Sequence, residues 1–324
     1  MVTGADLFQI KNYNLYLNFN NQRIPVVSNA NLSIRKGEIV GLIGESGSGK
    51  TVLWKSILGL LDERKWQPEG SVMLYGNRFD WEDRQAIAKL RGKDVSVILQ
   101  DPISAFDQVF TIEHHFWETA QAHTDWTREE TRNKAIILLS RMYIREPEKV
   151  LDMYPFQCSG GMLQRIMIAI ALLLDPSLLI ADEPTTAVDV TVQRQIISML
   201  QELNREKHTS ILYISHDLKI VENLVDRIFV MYAGSLVESF PVSHLTEAQV
   251  LHPYTKQLLK SRPSFSKEKL FAMSGHPPLL SERQSGCPFA PRCSSAKPEC
   301  QNFAMVPHRV SDDHWFCCIQ GGCL

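Results

Sequence analysis

The chain has no apolar run long enough to cross a bilayer. The longest, Ile166 to Leu174, ends at Asp175-Pro176, whereas a membrane-spanning helix needs about 20 apolar residues. The first residues, MVTGADLFQIKNYN, also lack the basic segment, apolar core and small-residue cleavage site of a secretory signal. We therefore expect a protein without membrane spans of its own that works in the cytosol.

The chain also has no large excess of positive or of negative charge. The 34 basic and 36 acidic side chains nearly cancel, which leaves a formal net charge of -2. Such a balance gives no overall attraction to nucleic acid or to an anionic membrane. The 324 residues allow one large domain with a small appendage, or two ordinary domains.

Cysteine is scarce until the last part of the chain. Of the seven cysteines only Cys158 lies mid-chain, and the others fall between Cys287 and Cys323. In a reducing compartment this clustering indicates metal binding more than disulfides.

Short apolar runs, rich in β-branched residues, predict buried strands that alternate with helices, as in a mostly parallel α/β sheet. The predicted strands are Glu38 to Ile43, Val95 to Leu99, Leu178 to Ala181, Ile211 to Ile214 and Ile228 to Met231. From about residue 103 to 175 the pattern is helical, which predicts a helical subdomain. After Gly234 the chain is predicted to be irregular, with a linker from Pro263 and a small loop-rich module beyond it.

A glycine-rich loop follows the first predicted strand and precedes a helix. Its glycines let successive backbone N–H groups turn toward phosphate oxygens, and the following helix adds its positive end. Lys50 is expected to neutralise the β- and γ-phosphates of a nucleotide, and Thr51 to hold Mg²⁺. The loop reads Gly44-Glu45-Ser46-Gly47-Ser48-Gly49-Lys50-Thr51.

Two carboxylates stand at the end of another apolar strand. Asp182 is the expected second Mg²⁺ ligand, and Glu183, one residue further, is placed to act as general base on the attacking water. A strand that ends in Asp-Glu is weak evidence by itself, because acidic residues often end strands. Together with the phosphate loop it predicts an ATPase.

The segment Ser159-Gly160-Gly161-Met162-Leu163-Gln164-Arg165 adds a family resemblance. It is similar to the signature of ABC transporter ATPases, and residues 5 to 250 resemble their nucleotide-binding subunits: a P-loop α/β core with a helical subdomain. The resemblance implies a head-to-tail dimer, in which the Ser159-Gly160-Gly161 segment of one subunit completes the ATP site that Lys50 of the other begins.

Further positions resemble single functional residues of that family. Gln100 matches the glutamine that senses Mg²⁺ and the attacking water, Asp189 in Ala187-Val188-Asp189 matches an aspartate that bridges subunits, and His216 matches the histidine that contacts the γ-phosphate. For the aromatic ring that stacks on adenine we select Phe19. Tyr13 and Tyr16 are rivals. Cys158 is interpreted as packing.

Other segments narrow the resemblance to the peptide and nickel importer branch: GESGSGK, IADEPTTAVDVTVQRQI, HPYTKQLL and CPFAPRC. Ser104-Ala105-Phe106 and Tyr154-Pro155-Phe156 look closer to nickel-type members, so we favour nickel or a metal chelate over peptide as cargo. The branch implies residues 1–250 as the nucleotide-binding domain and 251–324 as a C-terminal extension.

The extension is expected to hold a metal centre. Similar tails are associated with a 4Fe-4S cluster, and its ligands here would be Cys287, Cys293, Cys300 and Cys318, with Cys317 as the alternative fourth ligand. His314 lies four residues before Cys318, and this spacing favours Cys318 over Cys317 as the fourth ligand. The spacing also permits Zn²⁺, and a tail joined by disulfides is a third interpretation.

The resemblance also implies partners. They are a second, different ATPase subunit, two membrane permeases that dock near residues 100–118, and an extracytoplasmic binding protein, with this chain peripheral on the cytoplasmic face of the membrane. Alternatives from other classes are an ABC ATPase without a transporter, a redox or metal sensor regulated by the cassette, and a small-substrate kinase. Nucleic acid is not an expected partner.

Overall fold

The computed structural model describes residues 6–79, 83–186, 188–262, 273–283 and 285–319. The strands are β1 (Asp6–Phe19), β2 (Gln22–Arg35), β3 (Ile39–Ile43), β4 (Trp66–Leu74), β5 (Asn77–Arg78), β6 (Val95–Ile98), β7 (Leu178–Asp182), β8 (Ser210–Ser215), β9 (Arg227–Tyr232), β10 (Ser235–Pro241), β11 (His308–Arg309) and β12 (Trp315–Phe316). The α-helices are α1 (Lys50–Ile57), α2 (Arg84–Leu90), α3 (Ile112–Gln121), α4 (Arg128–Arg141), α5 (Pro147–Leu151), α6 (Gly160–Ala171), α7 (Val190–Lys207), α8 (Leu218–Leu224) and α9 (Pro253–Lys260).

Ala187, Cys323 and most of the expected linker (263–272) lie outside the described residues. Within the described ranges, every helix is too short or too polar to cross a bilayer.

The chain forms two compact units. One comprises Met1–Arg35, Ile39–Trp81 and Ile214–Leu324, and the other comprises Lys36–Glu38 and Glu82–Tyr213. The chain passes from the second unit back to the first within β8. The domain boundary expected at residue 250 stays a prediction.

The first unit contains an antiparallel sheet in the order β2-β1-β4-β5. β1 and β2 form a hairpin in which Phe19 pairs with Gln22. Asn20 and Asn21 between them have φ angles of 48° and 59°, the left-handed conformation that tight hairpin turns need and that asparagine tolerates. The sequence analysis did not single out β1 or β4.

The first unit also holds β3, whose five residues are all buried. β3 pairs in parallel with β9, and β9 pairs with β10 in an antiparallel hairpin. β12 pairs with the other edge of β10, which brings Trp315 and Phe316 onto this sheet. The parallel β3–β9 pair is part of the α/β architecture expected from the sequence.

The expectation that the chain is irregular after Gly234 is wrong. Ser235–Pro241 is a strand and Pro253–Lys260 a helix. The strand was missed because it carries buried polar residues, among them the fully buried Glu238. The Glu238 carboxylate accepts hydrogen bonds from the backbone N–H groups of Leu251 (2.6 Å) and His252 (3.1 Å), and its Oε1 lies 3.3 Å from Nε2 of His314.

The second unit contains the parallel pair of β6 and β7 and the helices α2 to α7. Residues 103–174, all of which the structure describes, contain helices and turns and no strand, so the helical insertion is confirmed. A capping box starts α4: Thr127 accepts from the Glu130 N–H, and Glu130 accepts from the Thr127 N–H.

Candidate nucleotide-binding site

The glycine-rich loop occupies the turn between β3 and α1 and curls around the Lys50 ammonium group. Nζ donates to the carbonyl oxygens of Gly44 (2.8 Å) and Glu45 (2.9 Å) and to Oγ of Ser48 (3.3 Å). Lys50 is buried, with 6% of its surface exposed. The positive charge therefore lies inside the curve of the loop.

Gly44 is required by a neighbouring strand. A Cβ on Gly44 would lie 2.1 Å from the carbonyl oxygen of Met231, at the end of β9. The hairpin after β9 also supports the loop, because the N–H of Gly234 donates to the carbonyl of Ser48 at 2.8 Å. The loop is thus held on its strand side by main-chain contacts.

Helix α1 begins at the end of this loop. Its N-cap, Gly49, has φ 105° and no side chain to cap the helix. The first N–H groups of a helix carry partial positive charge and favour an anion. Thr51 lies in this first turn, where its hydroxyl is of the oxygen-donor type that Mg²⁺ prefers.

In the second unit, the predicted carboxylates lie at the end of β7. Asp182, its last residue, is buried at 2% exposure, and Glu183 has φ 48°. One oxygen of Glu183 accepts from Nε2 of Gln100 and from Oγ1 of Thr186, each at 3.1 Å. Gln100 and Glu183 meet because β6 and β7 are parallel neighbours that end at the same edge. A buried carboxylate oxygen at Asp182 also fits a Mg²⁺ ligand set.

The signature segment starts helix α6. Ser159 is its N-cap, and its Oγ accepts from the N–H of Met162 at 3.3 Å. A Cβ added at Gly160 or at Gly161 would meet no atom within 4 Å, so this helix start faces open space. Asp189 caps α7 in the same way, accepting from the N–H groups of the next turn at 2.8 and 3.0 Å.

His216 follows β8 in the first unit and is exposed. Among the aromatic candidates for adenine stacking, Phe19 is 59% exposed at the end of β1. Tyr13 is fully buried and its hydroxyl donates to Ser56 at 2.7 Å, and the ring of Tyr16 is covered by the Arg23 guanidinium, 3.6 Å from its centroid. Phe19 is therefore the most accessible of the three rings.

Four C-terminal cysteines, Cys287, Cys293, Cys300 and Cys318, line one small cavity of about 10 Å³. Cys317 is not among the lining residues, and its Sγ lies 3.8 Å from the Met305 carbonyl. The cavity therefore gathers the predicted ligand set with Cys318 as its fourth member.

Burial favours the protonated form of two of these thiols, Cys287 and Cys293. It raises the pKa of Cys287 to about 11 and also raises that of Cys293, so a metal centre would have to displace protons to bind thiolates. In the part of the chain that the structure describes, no three or more His, Cys, Asp or Glu side chains are arranged to hold a single metal ion.

The sequence analysis missed two residues that contact the glycine-rich loop, Arg292 and Tyr254. Arg292 binds the Glu45 carboxylate, and the Tyr254 hydroxyl accepts from the Glu45 N–H. A signal for Arg292 alone was present: an acidic residue inside a loop built for phosphate calls for a cationic partner elsewhere in the chain.

Comparison with known proteins agrees with this site. Residues 27–186 match the family described as "ABC transporter", and residues 237–300 match "Oligopeptide/dipeptide transporter, C-terminal region". The oligopeptide transport ATP-binding protein AppD of Bacillus subtilis is 40% identical over 91% of both chains. The dipeptide transport ATP-binding protein DppD of Escherichia coli is 39% identical over 89% of both.

Among solved structures, the dimeric, ADP- and phosphate-bound form of the ATP-binding cassette MJ0796 is similar. It superposes with a TM-score of 0.65 and 26% identity, covering 72% of this chain and 98% of that one. The α/β fold with a P-loop, expected from the sequence, is thereby confirmed. The chain belongs to the ABC transporter family, as one of its ATP-binding and ATP-hydrolysing subunits.

Proposed function

We propose that this chain hydrolyses ATP to drive the import of oligopeptides or dipeptides through separate membrane subunits. The observation that carries the proposal is the similarity, over about nine tenths of the chain, to proteins named for oligopeptide and dipeptide transport. The match of residues 237–300 to the C-terminal region of such transporters supports it independently of the ATPase core.

The phosphate site is proposed to work as half of a composite site. Lys50 and the loop N–H groups bind the β- and γ-phosphates, and the open start of α6 at Ser159, Gly160 and Gly161 receives the γ-phosphate held by a second subunit. The dimeric form of the similar cassette MJ0796 supports this arrangement. Asp189 then lies beside the partner, and His216 contacts the γ-phosphate.

Hydrolysis is assigned to Glu183. Its carboxylate takes a proton from the attacking water. The amide of Gln100 donates a hydrogen bond to the same carboxylate and so orients the carboxylate. Thr51, Gln100 and Asp182 would supply oxygen ligands for Mg²⁺, and the bound ion would neutralise charge on the phosphates. The adenine ring is proposed to stack on Phe19.

Nickel or a metal chelate, which the sequence analysis favoured as cargo, is not adopted. That preference depended on a few residues around Ser104 and Tyr154, whereas the named relatives transport oligopeptides or dipeptides. Peptide was the second candidate from the sequence, and the similarity supports it.

The four cavity-lining cysteines are proposed to hold a 4Fe-4S cluster. The support is that Cys287, Cys293, Cys300 and Cys318 line one small cavity; Zn²⁺ on the same thiolates is the alternative. A cluster would supply a cross-link between distant parts of the extension. All four are free of disulfides, so the disulfide interpretation gains no support.

The proposed partners are a second ATPase subunit related to this one, two permeases and an extracytoplasmic binding protein. Copurification identifies them. ATP hydrolysis by the reconstituted complex is then measured with the binding protein loaded with a dipeptide, an oligopeptide or a nickel chelate. Stimulation by a peptide is expected. Stimulation by the chelate alone would replace peptide with nickel, and no stimulation by any ligand would refute the import proposal.

A further inference from the structure

Glu45, the second residue of the glycine-rich loop, is bound by a side chain from the C-terminal extension. The Arg292 guanidinium donates to both carboxylate oxygens, Nη1 to Oε2 at 2.7 Å and Nη2 to Oε1 at 3.1 Å. Only 6% of the Arg292 side chain is exposed. Its Nε donates to the Ser274 carbonyl at 2.9 Å, so the arginine is itself fixed before it reaches the loop.

A second contact reaches the main chain of the same residue. The Tyr254 hydroxyl, from the start of α9, accepts from the Glu45 N–H at 2.9 Å. Tyr254 packs against Tyr232, with ring centroids 4.6 Å apart, and both rings contact the buried Phe289. The C-terminal segments HPYTKQLL and CPFAPRC therefore each contribute a side chain to Glu45.

These contacts affect the groups that bind phosphate. The carbonyl of Glu45 is one of the acceptors that hold the Lys50 ammonium, so fixing Glu45 fixes the position of Lys50. The Glu45 carboxylate would also repel a triphosphate if it were left without a counter-charge. A two-bond guanidinium–carboxylate pair supplies that charge and sets an orientation as well.

We propose that Arg292 and Tyr254 are positioning residues for ATP: the C-terminal extension holds the phosphate-binding loop in its binding shape. The proposal depends on ATP binding by this loop and on neither the peptide cargo nor the cysteine cluster. A negative result in the cargo test therefore does not affect the positioning role of Arg292 and Tyr254. In the same way, a negative result for these two residues does not affect the peptide-import proposal.

The test is the ATP affinity of the full chain, measured as the Kd for a fluorescent ATP analogue and as KM against kcat in the reconstituted complex. Arg292→Gln should raise Kd and KM on the order of tenfold, because a loop that is no longer preorganised must be ordered on binding. The kcat at saturating ATP should change less than about twofold, since the base is elsewhere. Arg292→Lys should recover part of the lost ATP affinity, because an ammonium group keeps the positive charge but cannot make the paired hydrogen bonds of a guanidinium.

Tyr254→Phe keeps the ring and removes only the acceptor for the Glu45 N–H, so Kd should rise by a smaller factor, about threefold. Glu45→Gln tests the other side of the pair, and the double variant Glu45→Gln/Arg292→Gln should bind ATP no more weakly than Arg292→Gln alone. The matched control is Arg35→Gln, which breaks an ion pair to Asp313 of the same extension, away from the loop.

Arg35→Gln should leave Kd unchanged. An unchanged Kd in folded Arg292→Gln would overturn the proposal. So would a double variant that binds ATP more weakly than Arg292→Gln alone, with a Kd that multiplies the effects of the two single substitutions. If Arg292→Gln does not fold, Tyr254→Phe and Glu45→Gln decide: unchanged affinity in both would overturn it as well. A drop in kcat without a change in Kd would place the two residues in the chemical step instead and would also overturn it.

Discussion

Replacing Glu238 by alanine should loosen the C-terminal extension from the strand that carries it. Glu238 lies in the middle of β10, fully buried, and its carboxylate serves three groups: the N–H of Leu251, the N–H of His252 and the imidazole of His314. The two amides lead into α9, and His314 directly precedes β12. One carboxylate thus joins the Leu251–His252 segment and His314 to the sheet.

The magnitude follows from the groups left behind. A buried donor that loses its partner costs about 1–3 kcal/mol, and removing one member of a buried charged network costs about 3–5 kcal/mol. With some hydration of the exposed amides, we expect Glu238→Ala to lower the free energy of unfolding of the first unit by about 3–5 kcal/mol. Glu238→Gln, which keeps one acceptor oxygen, should cost roughly half as much.

The assay combines urea unfolding with amide hydrogen exchange, and the amides of Leu251 and His252 should lose protection first. The matched control is Glu247→Ala. Glu247 lies in the same segment, but its side chain is 57% exposed and pairs with Lys260 at 3.7 Å, so its loss should change stability by less than about 1 kcal/mol. Equal stability of the Glu238→Ala and Glu247→Ala proteins would refute the reasoning.

Three further variants have defined outcomes. Tyr13→Phe removes the buried hydrogen bond to Ser56 and should lower the free energy of unfolding by about 1 kcal/mol in urea titrations; an unchanged midpoint would mean that the bond contributes nothing. Glu183→Gln retains the size of the side chain but cannot take a proton, so phosphate release should fall about 100-fold or more with ATP still bound; normal turnover would remove Glu183 as the base. In anaerobic preparations, Cys318→Ala should lose iron and acid-labile sulfide while Cys317→Ala keeps both, and equal iron in the two proteins would reject Cys318 as the fourth ligand.

The parts that were predictable from the sequence are those whose residues are contiguous. The loop from Gly44 to Thr51 lies between an apolar run and a helical pattern, and each element forms at its predicted place. The strand that ends at Asp182 could be predicted for the same reason, since Leu178 to Ala181 are four apolar residues in a row. The meeting of Gln100 with Glu183 needed one further step, the parallel pairing of β6 and β7.

The missed features depend on partners that are distant along the chain. β10 contains a carboxylate at a buried position, and a buried charge is tolerated only where donors supplied by other segments surround it. No feature of the sequence Ser235–Pro241 indicates that Leu251 and His314 supply the partners of Glu238. Likewise Glu45 and Arg292 are far apart in sequence, and no local pattern indicates that they pair.

Position 44 accepts only glycine, whereas position 47 in the same loop can accept another residue. The atom that would collide with any side chain there is the carbonyl oxygen of Met231, and because every residue type carries that oxygen, no second substitution at 231 relieves the clash. At Gly47, where φ is 76° and an added Cβ would meet nothing within 4 Å, asparagine is a tolerable replacement because it adopts left-handed conformations. A saturation library selected for ATP binding should therefore retain glycine alone at 44 and admit asparagine at 47, so the strand beside the loop, rather than the nucleotide, limits how this part of the sequence can drift.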